Sequence, residues 1–270
     1  MAMREPHLPH SHPHFPGSSL FELDSRIHAG LIEDALTAVV DVAHPDLVRR
    51  VLDVGAGTGS ATFRLAGRYA DAEVVALDAN RSMTHRISAR ASQAGLARVT
   101  TVNRSVLESG LEPGSIDLVW ASSVFHEFDN PAQELAALSR LIRSGGVLAV
   151  LEMDAPPRVL PAEYERVESR LRDLTNADAI PVDWTGQISA AGFEGVSKNT
   201  LSSDQVLAAD CPGGDYARAE LRRLAHHAAG GLNAAERMQL EQILDTAPGH
   251  EHLPQVHIRG TRTLWLARRL

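Results

Sequence analysis

Three glycines at alternate positions follow a short apolar run and could hold a ligand against bare backbone. They are Gly55, Gly57 and Gly59. Glycine permits the left-handed φ angles of a tight turn, and its missing side chain leaves room for a ligand. The apolar run is Val51–Val54, and a helix beginning at Ser60 would point free backbone N–H groups at the ligand. The pattern predicts a small-molecule site at a strand–turn–helix junction.

Two acids indicate which ligand the turn accepts. Asp78 ends the next apolar run, where a carboxylate can accept both hydroxyls of an adenosine ribose. Nicotinamide dinucleotides bind at a similar turn with the pattern G-x-G-x-x-G. In this chain, Ser60 stands where the third glycine of that pattern would fall. Asp53, inside the motif, would repel a pyrophosphate and attract an ammonium group. An NAD(P)-dependent oxidoreductase is therefore the less favoured alternative.

Alternating apolar runs and amphipathic stretches must position this turn. The predicted strands are 51–54, 73–77, 99–102, 116–121, 147–152, 195–201 and 261–268. The predicted helices are 22–42, 60–69, 81–94, 131–142, 161–174, 184–191, 215–229 and 234–245. Apolar strands alternating with helices are typical of an α/β, doubly wound, mostly parallel Rossmann-like sheet, of about seven strands in this chain.

The domain organisation follows from these elements. Residues 1–18 are rich in His and Pro and predict a disordered tail rather than a metal site. Residues 19–270 predict a single domain, with its core at 46–201 and 258–270. An N-terminal helical cap at 19–45 and a helical insertion at 202–257 complete it. We expect the cap and the insertion to meet above the carboxyl ends of the strands, where ligands lie in such sheets.

From Arg50 to Glu152 the chain resembles the class I S-adenosylmethionine-dependent methyltransferases. The glycine turn with Asp53 resembles the first motif of that family, and Asp78 matches its ribose-binding acid. The segment Ile116–Ala121 is similar to its fourth strand, and Leu141–Leu148 to the turn into its fifth. The resemblance implies S-adenosyl-L-methionine as the cofactor and a methyl transferase acting on a small molecule.

The resemblance also implies a set of cofactor-binding residues. They are Asp53, Gly55, Ala56, Gly57, Gly59, Asp78, Ala79, Met83, Ser105, Val106, Ala121 and Ser122. Met83 would pack on the adenine ring. Ser105 departs from the family, which has an acid there for the adenine amino group, and a hydroxyl accepts that bond more weakly. Ser144 replaces the family's proline before the double glycine, which affects only the rigidity of that turn.

The segment after the fourth strand faces the methyl acceptor in the family. Here His126 could act as a general base for a hydroxyl acceptor, since its ordinary pKa is about 6.5. Glu127 could orient the imidazole or face solvent. Alternatively, His126 closes a turn or lines the cofactor pocket. Phe21 and Phe125, with His126, are predicted to line the acceptor pocket, and O-methylation is slightly favoured.

Composition excludes several other functions. The formal charge of −8 and the lack of a basic cluster argue against nucleic acid as a partner. No apolar run is long enough for a membrane span, and the single Cys211 suits a cytoplasmic enzyme. No metal is predicted, because the adjacent His226 and His227 would point to different sides of a helix. A homodimer is compatible with the sequence. A cofactor-binding protein of this fold without transferase activity is the remaining alternative.

Overall fold

A seven-stranded sheet forms the centre of the molecule in the computed structural model, which describes residues 20–228, 230–245 and 253–270. The strands are β1 (Arg50–Val54), β2 (Glu73–Leu77), β3 (Val99–Val102), β4 (Ile116–Ser122), β5 (Ile142–Met153), β6 (Phe193–Ala208) and β7 (Gln255–Arg269). Their order is β3-β2-β1-β4-β5-β7-β6. β1 to β5 are parallel, and β7 runs antiparallel to both of its neighbours. The predicted doubly wound fold is confirmed.

Nine helices surround the sheet within the described ranges. They are α1 (Leu20–Ile27), α2 (Ala29–Val42), α3 (Ser60–Arg68), α4 (Arg81–Gln93), α5 (Pro131–Leu141), α6 (Glu165–Thr175), α7 (Thr185–Ala190), α8 (Pro212–His227) and α9 (Ala234–Leu244). The sequence explains several of their starts. Asn80 caps α4, and Asn130 caps α5 ahead of a proline. α3 begins at the last glycine of the turn.

The central strands are buried on both faces, so two cores form. One lies under α2, α3 and α4, and includes Val51, Trp120 and Leu36. The other lies under α5 and α7, and includes Leu52 and Phe125. The chain order reverses between β1 and its neighbour β4, which opens a crevice at the carboxyl ends of the strands. The glycine turn and the segment after β4 both lie at this crevice.

The predicted 22–42 helix is two helices separated at His28. The break turns α1 toward α8, and Asp24 joins it to the rest of the fold. Tyr216 Oη donates to Asp24 Oδ1 at 3.0 Å, and the buried Arg262 of β7 pairs with the other oxygen. The apolar residues of this segment keep a four-residue spacing across the bend, so the sequence predicted one continuous helix.

The last two strands are longer than the sequence suggested. β6 continues to Ala208 and β7 begins at Gln255, since Leu201–Ala208 pairs with Gln255–Arg262 as a twisted ribbon. The predicted helical insertion at 202–257 is therefore too long at both ends, since the helices described between these strands are α8 and α9. This helical segment also shares a third apolar core with α1 and α6, in which Leu23, Leu171 and Tyr216 are buried. Polar residues on the exposed face of the ribbon concealed its strand pattern.

The prediction of a disordered tail at residues 1–18 lies outside the described residues. Within the described ranges, no helix is both long and apolar enough to cross a membrane.

Candidate active site

The glycine turn connects β1 to α3 with three residues at positive φ. Gly55, Gly57 and Gly59 have φ of 65°, 52° and 82°. Ala56 N donates to Leu77 O at 3.1 Å, which fixes the turn against the end of β2. A Cβ added at Gly55 would lie 2.4 Å from Val124 Cγ2, so the turn and the segment after β4 are in contact. A Cβ at Gly57 would meet nothing closer than the Gly55 carbonyl at 3.9 Å, so Gly57 faces open space.

Asp78 lies beside the open face of the turn, at the end of β2. Gly57 N donates to Asp78 Oδ2 at 2.8 Å, and Asn80 N donates to Oδ1 at 2.7 Å. Each carboxylate oxygen has two lone pairs, so one acceptor position remains on each oxygen. Asn103 Nδ2 donates to the carbonyl oxygens of Asp78 and Ala79 and fixes this segment from β3. The residue can accept both hydroxyls of a ribose without giving up its own bonds.

Asp53 is buried on β1 beneath the turn. Thr62 Oγ1 donates to Asp53 Oδ2 at 2.5 Å. Burial raises the pKa of Asp53 to about 7, although the Thr62 hydrogen bond opposes the rise and the charge of Asp78 adds to it. A buried carboxyl with a raised pKa loses its proton most readily when a cation lies next to it.

The other predicted cofactor residues surround the crevice. Ala56 and Val106 are buried, and Ala121 is buried at the end of β4. Met83 lies in the first turn of α4, half-buried, and Ser122 is half-buried at the last position of β4. Ser105 and Ala79 follow β3 and β2, as the resemblance implied. Their contacts with a cofactor stay a prediction.

His126 and Glu152 form a hydrogen-bonded pair at the carboxyl ends of β4 and β5. His126 Nδ1 lies 2.7 Å from Glu152 Oε2. The other oxygen, Glu152 Oε1, accepts from Val124 N and Phe125 N, each at 2.8 Å. The Glu152 side chain is 6% exposed, whereas that of His126 is 47% exposed. Glu152 therefore holds the loop and the imidazole in place, while the ring keeps access to solvent.

The electrostatics of this pair set the proton affinity of His126. Burial lowers the pKa of His126, but the hydrogen bond and charge of Glu152 outweigh it, and Glu127 adds to the rise. Glu127 Oε1 lies 3.2 Å from His126 Nε2 and is 43% exposed. The net result is an imidazole with a pKa above its ordinary value of 6.5. Glu152 orients the ring, a role that the sequence suggested only for Glu127.

Ser123, between β4 and His126, has an unusual backbone and an unsatisfied hydroxyl. Its φ is 52°, which is uncommon for a residue with a side chain. Its N–H donates to Leu151 O at 2.8 Å, so the strained turn is held by β5. Among the described residues, the buried Ser123 Oγ has no hydrogen-bond partner. Strain and an orphaned polar atom at one residue are features of ligand sites.

Phe125 lies in the core and not in the predicted acceptor pocket. Its ring is fully buried and packs on Phe128 and Trp184, with centroids 5.3 and 5.5 Å away. Phe125 therefore belongs to the core under α5 and α7, because the short helical turn after β4 directs it inward. Phe21 is 46% exposed on α1 and His126 is half-exposed, and their roles in an acceptor pocket stay a prediction.

The sheet order and the glycine turn define a Rossmann-like α/β fold, and the comparisons with known proteins relate it to methyltransferases. The family model "Methyltransferase domain" matches residues 51–146. A highly reducing polyketide synthase of Fusarium mangiferae is 29% identical over 185 residues, 64% of this chain and 7% of that protein. The demethylmenaquinone methyltransferase of Thermus thermophilus is 32% identical over 119 residues, 44% of this chain and 54% of that protein.

The solved structures agree on the fold. A proposed methyltransferase from Bacillus halodurans superposes with a TM-score of 0.55 at 18% identity, covering 87% of this chain and 98% of that one. The chain thus matches a methyltransferase domain over residues 51–146 and shares the Rossmann-like fold of this solved structure. It spans only 4–7% of the length of the synthases that match it over most of its own length.

Proposed function

We propose that the protein transfers a methyl group from S-adenosylmethionine to a small-molecule acceptor that carries an acidic proton. The hydrogen-bonded pair of His126 and Glu152, next to the glycine turn, supports this proposal most strongly. The family and the fold support the choice of cofactor. When bound, S-adenosylmethionine supplies an electrophilic methyl group on a sulfonium centre.

The residues of the crevice fit this cofactor. Asp78 has free acceptor positions for a ribose, and Gly57 leaves the space above the turn open. Asp53 provides a buried carboxyl that would become charged beside an ammonium group. These features also favour the cofactor over a nicotinamide dinucleotide, since a pyrophosphate would lie against a carboxylate.

His126 is proposed to remove the acceptor's proton. With Nδ1–H donated to Glu152, the lone pair of Nε2 faces outward and can accept a proton once Glu127 moves aside. Glu152 then stabilises the imidazolium that forms. A base of this strength suits a phenol or an enol, and the first candidate reaction is O-methylation.

C-methylation of an activated carbon is a second candidate. Polyketide synthases match this chain over 62–64% of its length, farther than the domain model itself reaches. Polyketide intermediates carry carbonyl groups on alternate carbons, and the carbon between two carbonyls is acidic. The same base would remove that proton, and the carbanion would accept the methyl group.

The experiment uses S-adenosylmethionine with a ¹³C-labelled methyl group and two acceptor panels, phenols and β-dicarbonyls. The carbon chemical shift of the product distinguishes an O-methyl from a C-methyl group. We expect one panel to be methylated by the wild type and the rate to fall with His126→Ala. Cofactor binding without turnover on any acceptor would favour the alternative, a binding protein of this fold.

The homodimer and the cytoplasmic location stay predictions from the sequence. Sedimentation velocity of the purified chain tests the first of them, because a dimer and a monomer differ clearly in sedimentation coefficient.

A further inference from the structure

A cleft of about 510 Å³ lies beside the glycine turn, between α1, α3 and α4. Its lining includes three arginines, Arg64, Arg86 and Arg90, and a single carboxylate, that of Glu22. The lining therefore carries an excess of positive charge, while the chain as a whole has a formal charge of −8. A positively charged cleft in an acidic protein raises the local concentration of anionic ligands.

Each arginine is held in place by contacts that leave donors available. Arg90 NH1 donates to Thr58 O at 2.9 Å, and its guanidinium lies 4.3 Å from the centroid of the Phe63 ring. Arg64 Nε donates to Glu33 Oε1 at 3.0 Å and its NH1 to Ser60 O at 3.0 Å. A guanidinium has five N–H donors, so these bonds position the groups without using all their donors.

Glu22 pairs with Arg86 across the mouth of the cleft and joins α1 to α4. Outside the lining, Glu33 is shared between Arg64 and Arg68. Positive charge therefore remains in excess, mainly at Arg90, which forms no ion pair with the described residues. The phenyl ring of Phe63, which lies under the Arg90 guanidinium, adds an apolar surface to the lining. Paired guanidinium groups and one aromatic face are the chemistry that recognises an oxyanion on a flat organic body.

We propose that this cleft binds the phosphate or carboxylate group of a small anionic molecule, at a site distinct from that of the cofactor. Thr58 and Ser60 of its lining flank Gly59, so its ligand would lie next to the cofactor's turn. The same turn touches Val124 on the side of His126. The cleft thus adjoins the α3 end of the turn, and the segment that carries His126 contacts its β1 end.

Calorimetric titrations test the proposal with phenyl phosphate, benzoate and inorganic phosphate, and with neutral benzyl alcohol as the control ligand. We expect one or both organic anions to bind and benzyl alcohol not to bind. Preference for phenyl phosphate or for benzoate identifies the anion, and binding of inorganic phosphate alone shows that Phe63 is not used. Failure of all three anions to bind would overturn the proposal.

Variants locate the site. Arg90→Gln should weaken the binding of the preferred anion at least about tenfold, as expected when a charge-assisted bond is lost. Arg98→Gln, which removes an exposed arginine before β3, should change it less than about twofold. If Arg90→Gln is misfolded by circular dichroism, Arg64→Gln replaces it. Equal weakening by the Arg98 variant would contradict the assignment.

A last titration separates the cleft from the cofactor site. Saturating S-adenosylhomocysteine should leave the dissociation constant of the anion unchanged, if the two sites are distinct. Competition between them would show that the cleft holds the carboxylate of the cofactor itself and would overturn the proposal. Because the anions are titrated without any methyl acceptor, this result does not depend on whether the protein transfers methyl groups.

Discussion

His126 Nδ1 lies 2.7 Å from Glu152 Oε2, although 26 residues separate the two in the chain. The adjacency of β4 and β5 produces this contact, because parallel neighbours end at the same edge of the sheet. Glu152 is nearly buried and His126 is half-exposed, so the pair has one fixed end and one accessible end. This is the arrangement of a general base and the group that orients it.

Replacing Glu152 with glutamine should move the acid limb of the pH–rate profile to lower pH. The charge and hydrogen bond of Glu152 raise the pKa of His126, and the base works only when deprotonated. The wild-type limb should therefore lie above the ordinary 6.5, and the variant's limb should lie below that of the wild type. The measurement is kcat/KM against pH with the acceptor found above.

Glu127→Gln is the matched control for that profile. Glu127 lies farther from the ring, at 3.2 Å, and is 43% exposed, so its effect on the pKa should be smaller. His126→Ala should lower kcat by about 10²–10⁴-fold, the range for loss of a general base. A pH profile that is identical in wild type and Glu152→Gln would mean that His126 is not the titrating base.

Asp53→Asn should stabilise the ligand-free protein at alkaline pH and weaken cofactor binding. Folding raises the pKa of Asp53 from 3.8 to about 7, so the folded state binds more protons than the unfolded state between these values. Stability therefore falls as pH rises through this window, and a neutral amide removes the loss. Thermal unfolding at pH 6 and pH 8 measures the effect.

The affinity of the Asp53 variant is measured with S-adenosylhomocysteine, whose ammonium group would face position 53. Its dissociation constant should rise by about tenfold or more, as for a hydrogen bond to a charged group. A variant that is both less stable at pH 8 and unchanged in affinity would show that Asp53 serves only the fold, through Thr62.

Gly57→Ala should abolish cofactor binding although the protein has room for the methyl group. The new Cβ would occupy the open space above the turn, which the cofactor needs. Gly95→Ala is the matched control, because Gly95 also has positive φ and an open surrounding but ends α4, away from the crevice. Both variants should lose about 1–2 kcal/mol of stability from left-handed strain. Equal affinity in the two would refute the role of Gly57.

Much of this site was predictable because its signals are local in the sequence. The glycines, Asp53 and Asp78 lie within one strand–turn–helix–strand unit, and the structure brings Asp78 to the backbone of Gly57. Glu152 was not predicted as a functional residue, since its partner lies on another strand. Its one signal was a charged residue at the end of the apolar run of β5. No pattern in the sequence indicated the role of Asn103, because its side chain bonds to backbone oxygens.

The fold was predictable wherever a pattern repeats, and less so where the chain bends. β2, a mostly apolar run, and β3, four β-branched residues, lie where the sequence predicts them. The bend at His28 does not interrupt the apolar spacing, and it depends on Asp24 meeting Arg262 and Tyr216 from distant segments. The inward turn of Phe125 likewise depends on Trp184, which only the folded chain brings near.

Calorimetric titration of S-adenosylhomocysteine into the wild type and Asp78→Ala tests the central claim most directly. We predict saturable one-to-one binding by the wild type, and a loss of about 1.5–3 kcal/mol of binding free energy in the variant, since a charged acceptor of the ribose is removed. NAD and NADP should not bind. Binding of either dinucleotide without binding of S-adenosylhomocysteine would contradict the assignment.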